Sequence, residues 1–100
     1  MPEQHGGIER TACEVLRQYP VKRAALFGSA ARGSANESND VDMLVEFLPN
    51  SPGLDFFGLR VDLEEALGCP VDLITWKALA KAKPGFRQSV ESEARLIYGR

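Results

Sequence analysis

Asp40-Val41-Asp42 sets two carboxylates two residues apart at the head of an apolar run. In that run Val41, Met43, Val45 and Phe47 alternate with Asp42, Leu44 and Glu46, the period-two pattern of a β-strand. Residues i and i+2 of a strand share a face, so Asp40 and Asp42 project side by side, with Leu44 and Glu46 further along. Two carboxylates held this way repel each other when charged and shift toward protonation. A divalent cation removes the conflict. Oxygen ligation by two carboxylates, completed by substrate phosphates, is the usual manner of holding Mg²⁺. A third candidate is Asp72 in Cys69-Pro70-Val71-Asp72-Leu73-Ile74-Thr75, whose short strand joins the same sheet if the chain forms only one. Three carboxylates meeting at one place suit a two-metal site that steadies the attacking and leaving oxygens of an in-line displacement. Taken alone, an Asp-x-Asp also serves to cap a turn or to face water. Glu46, Asp62, Glu64 and Glu65 read as a solvated face.

Upstream, the run Lys22 to Phe27 is cut by Gly28-Ser29. Glycine there admits backbone angles denied to other residues and lets a phosphate approach the main chain. Ser29 adds a hydroxyl and an N–H, and a helical turn begun at Ala30 to Arg32 would offer further N–H groups to an anion. Arg32 is the strong cation of this stretch and suits a phosphate or one of the carboxylates. The same residues also suit a plain strand-to-helix corner capped by Ser29. The Gly-Lys-Ser/Thr ending of a P-loop is missing, and Gly28 and Gly33 have the wrong spacing for a dinucleotide fingerprint.

The elements that must position these groups follow from periodicity. Ile8, Ala12, Val15, Leu16 and Tyr19 recur at helical spacing and predict a helix over Ile8 to Tyr19, stopped by Pro20. Lys22–Phe27 and Asp40–Phe47 read as strands that pair directly, since Gly33 to Asn39 between them is loop chemistry. Leu54 to Leu67 is a helix with a Phe56, Leu59, Leu63, Leu67 stripe and Gly68 as its stop. A strand over Pro70 to Ile74 follows, then a helix capped by Thr75, a further helix over about Phe86 to Ala94, and a last strand over Arg95 to Tyr98. This order predicts a mixed α/β (α+β) fold, a mixed sheet with helices packed on it.

One hundred residues with 44% apolar and 26% charged content make one globular domain over residues 1–100. A net charge of −2 argues against a protein whose main task is gripping nucleic-acid phosphates. Cys13 and Cys69 form neither a disulfide framework nor a zinc spacing, and read as small hydrophobes in a reducing cytosol. No apolar run approaches the ~20 residues that span a bilayer. The polar Met1 to Gly7 has no signal-peptide core, so the expected location is cytoplasmic.

Combined, these pieces form a phosphate-friendly corner facing a carboxylate pair, and the arrangement resembles the minimal nucleotidyltransferase (MNT) branch of the DNA polymerase beta-like nucleotidyltransferases. That family carries Gly-Ser-x-Ala-Arg-Gly, five variable residues, then Ser-Asp-x-Asp-Leu. Gly28-Ser29-Ala30-Ala31-Arg32-Gly33 matches fully, the spacer Ser34 to Ser38 has the right length, and Asn39-Asp40-Val41-Asp42-Met43 follows. Asn39 replaces Ser with another capping residue, and Met43 replaces Leu with a similar core volume. Val71-Asp72-Leu73 is similar to the family's third carboxylate strand, and Glu93-Ala94-Arg95-Leu96-Ile97-Tyr98-Gly99 to its closing segment.

The resemblance implies the polymerase-beta-like fold. It implies that Asp40 and Asp42 bind Mg²⁺ and nucleotide phosphates, that Asp72 is metal ligand or base, and that Gly28, Ser29 and Arg32 bind a nucleoside triphosphate. It further implies an antitoxin, cytoplasmic and paired with a HEPN-domain ribonuclease toxin, that transfers AMP from ATP to a toxin tyrosine. Homo-oligomers are compatible with this reading. Two other readings stand beside it: a module that neutralises its partner by contact alone, and transfer to a small molecule with a partner subunit completing the site. For contact, Phe56 and Phe57 are adjacent and cannot both face one core, so one of them marks an interface or flanks the core. Trp76 reads as core or rim ahead of a platform for a stacked base, Lys77 as a neighbour of the phosphates, and His5 carries no assigned task.

Overall fold

The computed structural model describes residues 4–28 and 40–99. Its elements are α1 (Gln4–Leu16), β1 (Val21–Phe27), β2 (Val41–Phe47), α2 (Leu54–Leu67), β3 (Val71–Thr75), α3 (Trp76–Ala80), α4 (Pro84–Glu93) and β4 (Arg95–Gly99). The strands form one sheet in the order β3-β2-β1-β4. β1 is antiparallel to both β2 and β4, whereas β2 and β3 are parallel. The mixed α/β arrangement and the direct β1–β2 pairing match the sequence expectation. Parallel neighbours need a long crossover, and α2 supplies it between β2 and β3.

Helix α1 ends at Leu16, before the expected Tyr19. The ring of Pro20 pushes the residue before it toward extended backbone. Arg17 to Pro20 instead form turns, with the Gln18 N–H donating to Val15 O and the Tyr19 N–H to Leu16 O at 3.0 and 3.1 Å. Tyr19 still packs on the core from this turn. Helix α4 starts at Pro84 rather than Phe86, because a first-turn residue needs no N–H and proline's fixed φ suits that position. Thr75 caps α3 as expected, its hydroxyl accepting from the Ala78 N–H at 3.0 Å. Gly68 stops α2 with φ 75°, its N–H donating to Glu64 O at 2.8 Å.

Both faces of the sheet are covered. On one, α1 and α2 bury Ala12, Leu16, Leu59 and Leu63 against Val21, Ala24, Leu26, Val41, Met43 and Val45. On the other, α3 and α4 bring Leu79 and Val90 onto Ala25, Phe27 and Leu44. Leu44 is 0% exposed, so beyond Asp42 this face is the floor of a second core. A strand in the middle of a sheet clad on both sides buries both of its faces. Among the described residues no helix is long and apolar enough to cross a membrane.

Candidate active site

The parallel ladder sets Asp42 opposite Asp72, with Val41 opposite Val71 and Met43 opposite Leu73. Side chains abreast in adjacent strands share a face at about 4.8 Å strand spacing. Asp40 precedes β2 by one residue and falls on the Asp42 face by alternation. The antiparallel ladder places Phe27, the last residue of β1, against Asp42. One end of β1 and the starts of β2 and β3 therefore meet where the three aspartates lie. Val41 N–H donates to Pro70 O at 3.0 Å and Val71 N–H to Glu64 Oε2 at 3.0 Å, so the first residues of both strands are held by other elements.

Gly28 follows β1 with φ +71°, in the left-handed region. A Cβ built there would stand 2.5 Å from Asp42 Oδ2, so glycine is what allows the corner and the carboxylate to share this space. The Gly28 N–H donates to Glu93 Oε1 at 3.1 Å. Asp42 is half-buried, while Asp40 and Asp72 are exposed. Burial raises the Asp42 carboxyl above its ordinary pKa, and the charges of Asp72, Asp40 and Glu93 add to the rise in that order. A partly dry carboxylate with three more facing it favours a cation, and every donor is a hard oxygen.

Among the described residues no three His, Cys, Asp or Glu side chains close a metal cage by themselves. Mg²⁺ does not require one: it keeps waters and is typically held by one or two carboxylates plus phosphate oxygens. Asp42 with Asp40 or Asp72 fits that pattern, beside a corner that a Cβ would fill. Of the expected nucleotide-binding residues, Gly28 lies at this corner, and Ser29 and Arg32 lie outside the described residues.

Trp76 and Lys77 lie at the other end of β3 from Asp72. They line a groove of about 500 Å³ with Val45, Glu46, Phe47 and Thr75. Trp76 packs on the second core, and the Arg23 guanidinium stacks 4.0 Å over its ring.

The expected solvated acidic face is corrected in three places. Glu46 pairs with Arg23 at 2.6 Å, Asp62 accepts the Tyr19 hydroxyl at 2.5 Å, and Glu64 accepts the Val71 N–H; only Glu65 is simply exposed. Glu93 is the site residue that sequence reasoning missed. Its one signal was its place at the head of the closing segment.

A family model described as "Nucleotidyltransferase domain" matches residues 8–97. A Methanocaldococcus jannaschii relative named "Putative protein adenylyltransferase" is 42% identical over 72 residues, 72% of this chain and 77% of that protein. The protein adenylyltransferase MntA of Thermococcus cleftensis is 38% identical over 80 residues, 80% of this chain and 78% of its own length. In fold, the chain is similar to a chain in the solved structure of a tri-AMPylated Shewanella oneidensis HEPN toxin in complex with MNT antitoxin. That match has a TM-score of 0.68 at 21% identity and covers 96% of this chain and 73% of the other. The chain belongs to the nucleotidyltransferase domain family.

Proposed function

We propose that the chain is a cytoplasmic antitoxin that transfers AMP from ATP, with Mg²⁺, to a tyrosine of a HEPN-type ribonuclease toxin. The observation that carries this reading is Asp42 abreast of Asp72, with the Gly28 corner pressed against Asp42. The names of the two relatives and the AMP-bearing toxin of the structural neighbour support AMP as the group and a protein as the acceptor.

In the proposed reaction the tyrosine oxygen forms a bond to the α-phosphorus of ATP. The bond from that phosphorus to the bridging oxygen breaks, and pyrophosphate leaves. The hydroxyl proton passes to a carboxylate, for which exposed Asp72 is the accessible base. Asp40 and Asp42, joined by Asp72, would hold the magnesium, which would supply charge neutralisation at the phosphates. The Gly28 corner, with Ser29 and Arg32, seats the outer phosphates, and the half-buried Asp42 keeps its place at the end of the second core.

The test is to incubate the chain with ATP, Mg²⁺ and the HEPN toxin encoded beside it, and to weigh the intact toxin. Adenylyl adducts are expected, and Asp42→Asn removes them. An unmodified toxin, still neutralised by the Asp42→Asn chain, overturns the catalytic reading.

A second reading, neutralisation by contact alone, is favoured by one observation. Leu54, Phe57 and Val61 lie on one side of α2 and are 80%, 60% and 46% exposed. Phe56 packs on the core and Phe57 turns outward, which resolves the adjacent pair. On this reading Phe57→Ser abolishes neutralisation and Asp42→Asn leaves it intact.

A further inference from the structure

We infer that Glu93 is a positioning residue of the nucleotidyl-transfer site, holding the Gly28 corner at its working distance from Asp42 through the Gly28 N–H. The inference rests on nucleotidyl transfer at this corner and not on which molecule accepts the nucleotide.

The topology brings the two residues together although 65 positions separate them. β1 and β4 are antiparallel, with Ala25 opposite Leu96 and Leu26 opposite Arg95. Continued by two residues, that register puts Glu93 opposite Gly28. The ladder itself stops at Arg95, since Glu93 is the last residue of α4 and Ala94 turns the chain. The Glu93 side chain then does what a strand carbonyl would otherwise do, accepting the Gly28 N–H at 3.1 Å. Its own position is secured by α4, which is anchored under the sheet by Val90, 3% exposed, and closed by the Ala94 N–H donating to Val90 O at 2.8 Å.

The consequence for the site is steric. With φ +71° and a virtual Cβ 2.5 Å from Asp42 Oδ2, Gly28 has little room to approach Asp42 further. In the other direction, the Gly28 N–H bond to Glu93 Oε1 tethers the corner against lifting away from the carboxylate. A hydrogen bond to a charged acceptor is the stronger kind, which suits a tether at a strand end.

The test uses the full chain and two variants. Glu93→Gln keeps an acceptor for the N–H, and Glu93→Ala removes it. Binding of a non-hydrolysable ATP analogue with Mg²⁺ is measured by calorimetry, and exchange of the Gly28 amide by NMR. Positioning predicts that Glu93→Ala weakens nucleotide binding and speeds Gly28 exchange by about tenfold each, while Glu93→Gln stays within about threefold of the parent. Unchanged nucleotide binding in Glu93→Ala overturns the inference. So does an equal loss in both variants, which would assign the effect to the charge. If Glu93→Ala does not fold, the parent and Glu93→Gln decide: an unprotected Gly28 amide in the parent, or a tenfold binding loss in Glu93→Gln, overturns it. A parent that binds the nucleotide but leaves the toxin unmodified removes the proposed acceptor and leaves every Glu93 measurement readable.

Discussion

Gly28 and Asp42 stand so close across the β1–β2 pair that a single methyl on residue 28 would meet the Asp42 carboxylate at 2.5 Å. The main chain of one and the side chain of the other together form the corner on which the nucleotidyltransferase reading depends.

Gly28→Ala tests that closeness. Alanine at φ +71° is strained by about 1–2 kcal/mol, and its methyl forces the Asp42 carboxylate to turn. The expected result is a lowered melting temperature and a loss of AMP transfer far larger than the stability cost. Calorimetric melting beside the transfer assay checks both. Full transfer by a folded variant contradicts the close corner.

Asp42→Asn separates catalysis from stability. A carboxyl whose pKa is raised in the folded state binds its proton more tightly there than when unfolded. Stability therefore falls as pH rises above the ordinary value of 3.8, and it recovers as the pH drops back. In metal-free buffer Asp42→Asn should melt a few degrees higher than the parent at neutral pH, with the gap closing in acid. Transfer should vanish at every pH. A variant that melts lower at neutral pH would show that the crowded charge is not costly.

Tyr19→Phe probes the lock between the α1 turn and α2. The Tyr19 hydroxyl donates to Asp62 at 2.5 Å, and this bond, ahead of burial, pushes its pKa up to about 12. The bond's contribution is complete below the ordinary tyrosine value of 10 and is lost as pH rises through 12. At this half-exposed position its removal should cost about 1 kcal/mol in chemical denaturation. Ultraviolet titration should show one tyrosine ionising late, and the variant should lack that step.

Phe57→Ser addresses the exposed side of α2. With Phe57 at 60% exposure, the melting temperature should hardly move, since such surface changes stay within about 0.5 kcal/mol. Nucleotide binding should be unchanged. A large loss of stability would place Phe57 in the core after all.

What the sequence determined by itself is local. Alternation in Val41–Phe47 defines a strand and puts Asp40 and Asp42 on one face. The stripe through Leu59 and Leu63, the Thr75 cap and the Gly68 stop define helices, because propensity, capping and periodicity act over a few neighbouring residues. Even the corner at Gly28 was legible from its type and place. Tertiary structure alone decided what lies opposite what. Asp72 faces Asp42 because β2 and β3 pair in one particular parallel register, and Glu93 reaches Gly28 because β4 returns antiparallel to β1. The second buried face under Leu44, and the partners of Glu46, Asp62 and Glu64, depend likewise on helices and strands packed from elsewhere in the chain. Pairing register and side-chain partnership are non-local, and a spacing pattern holds no record of which strand will lie alongside.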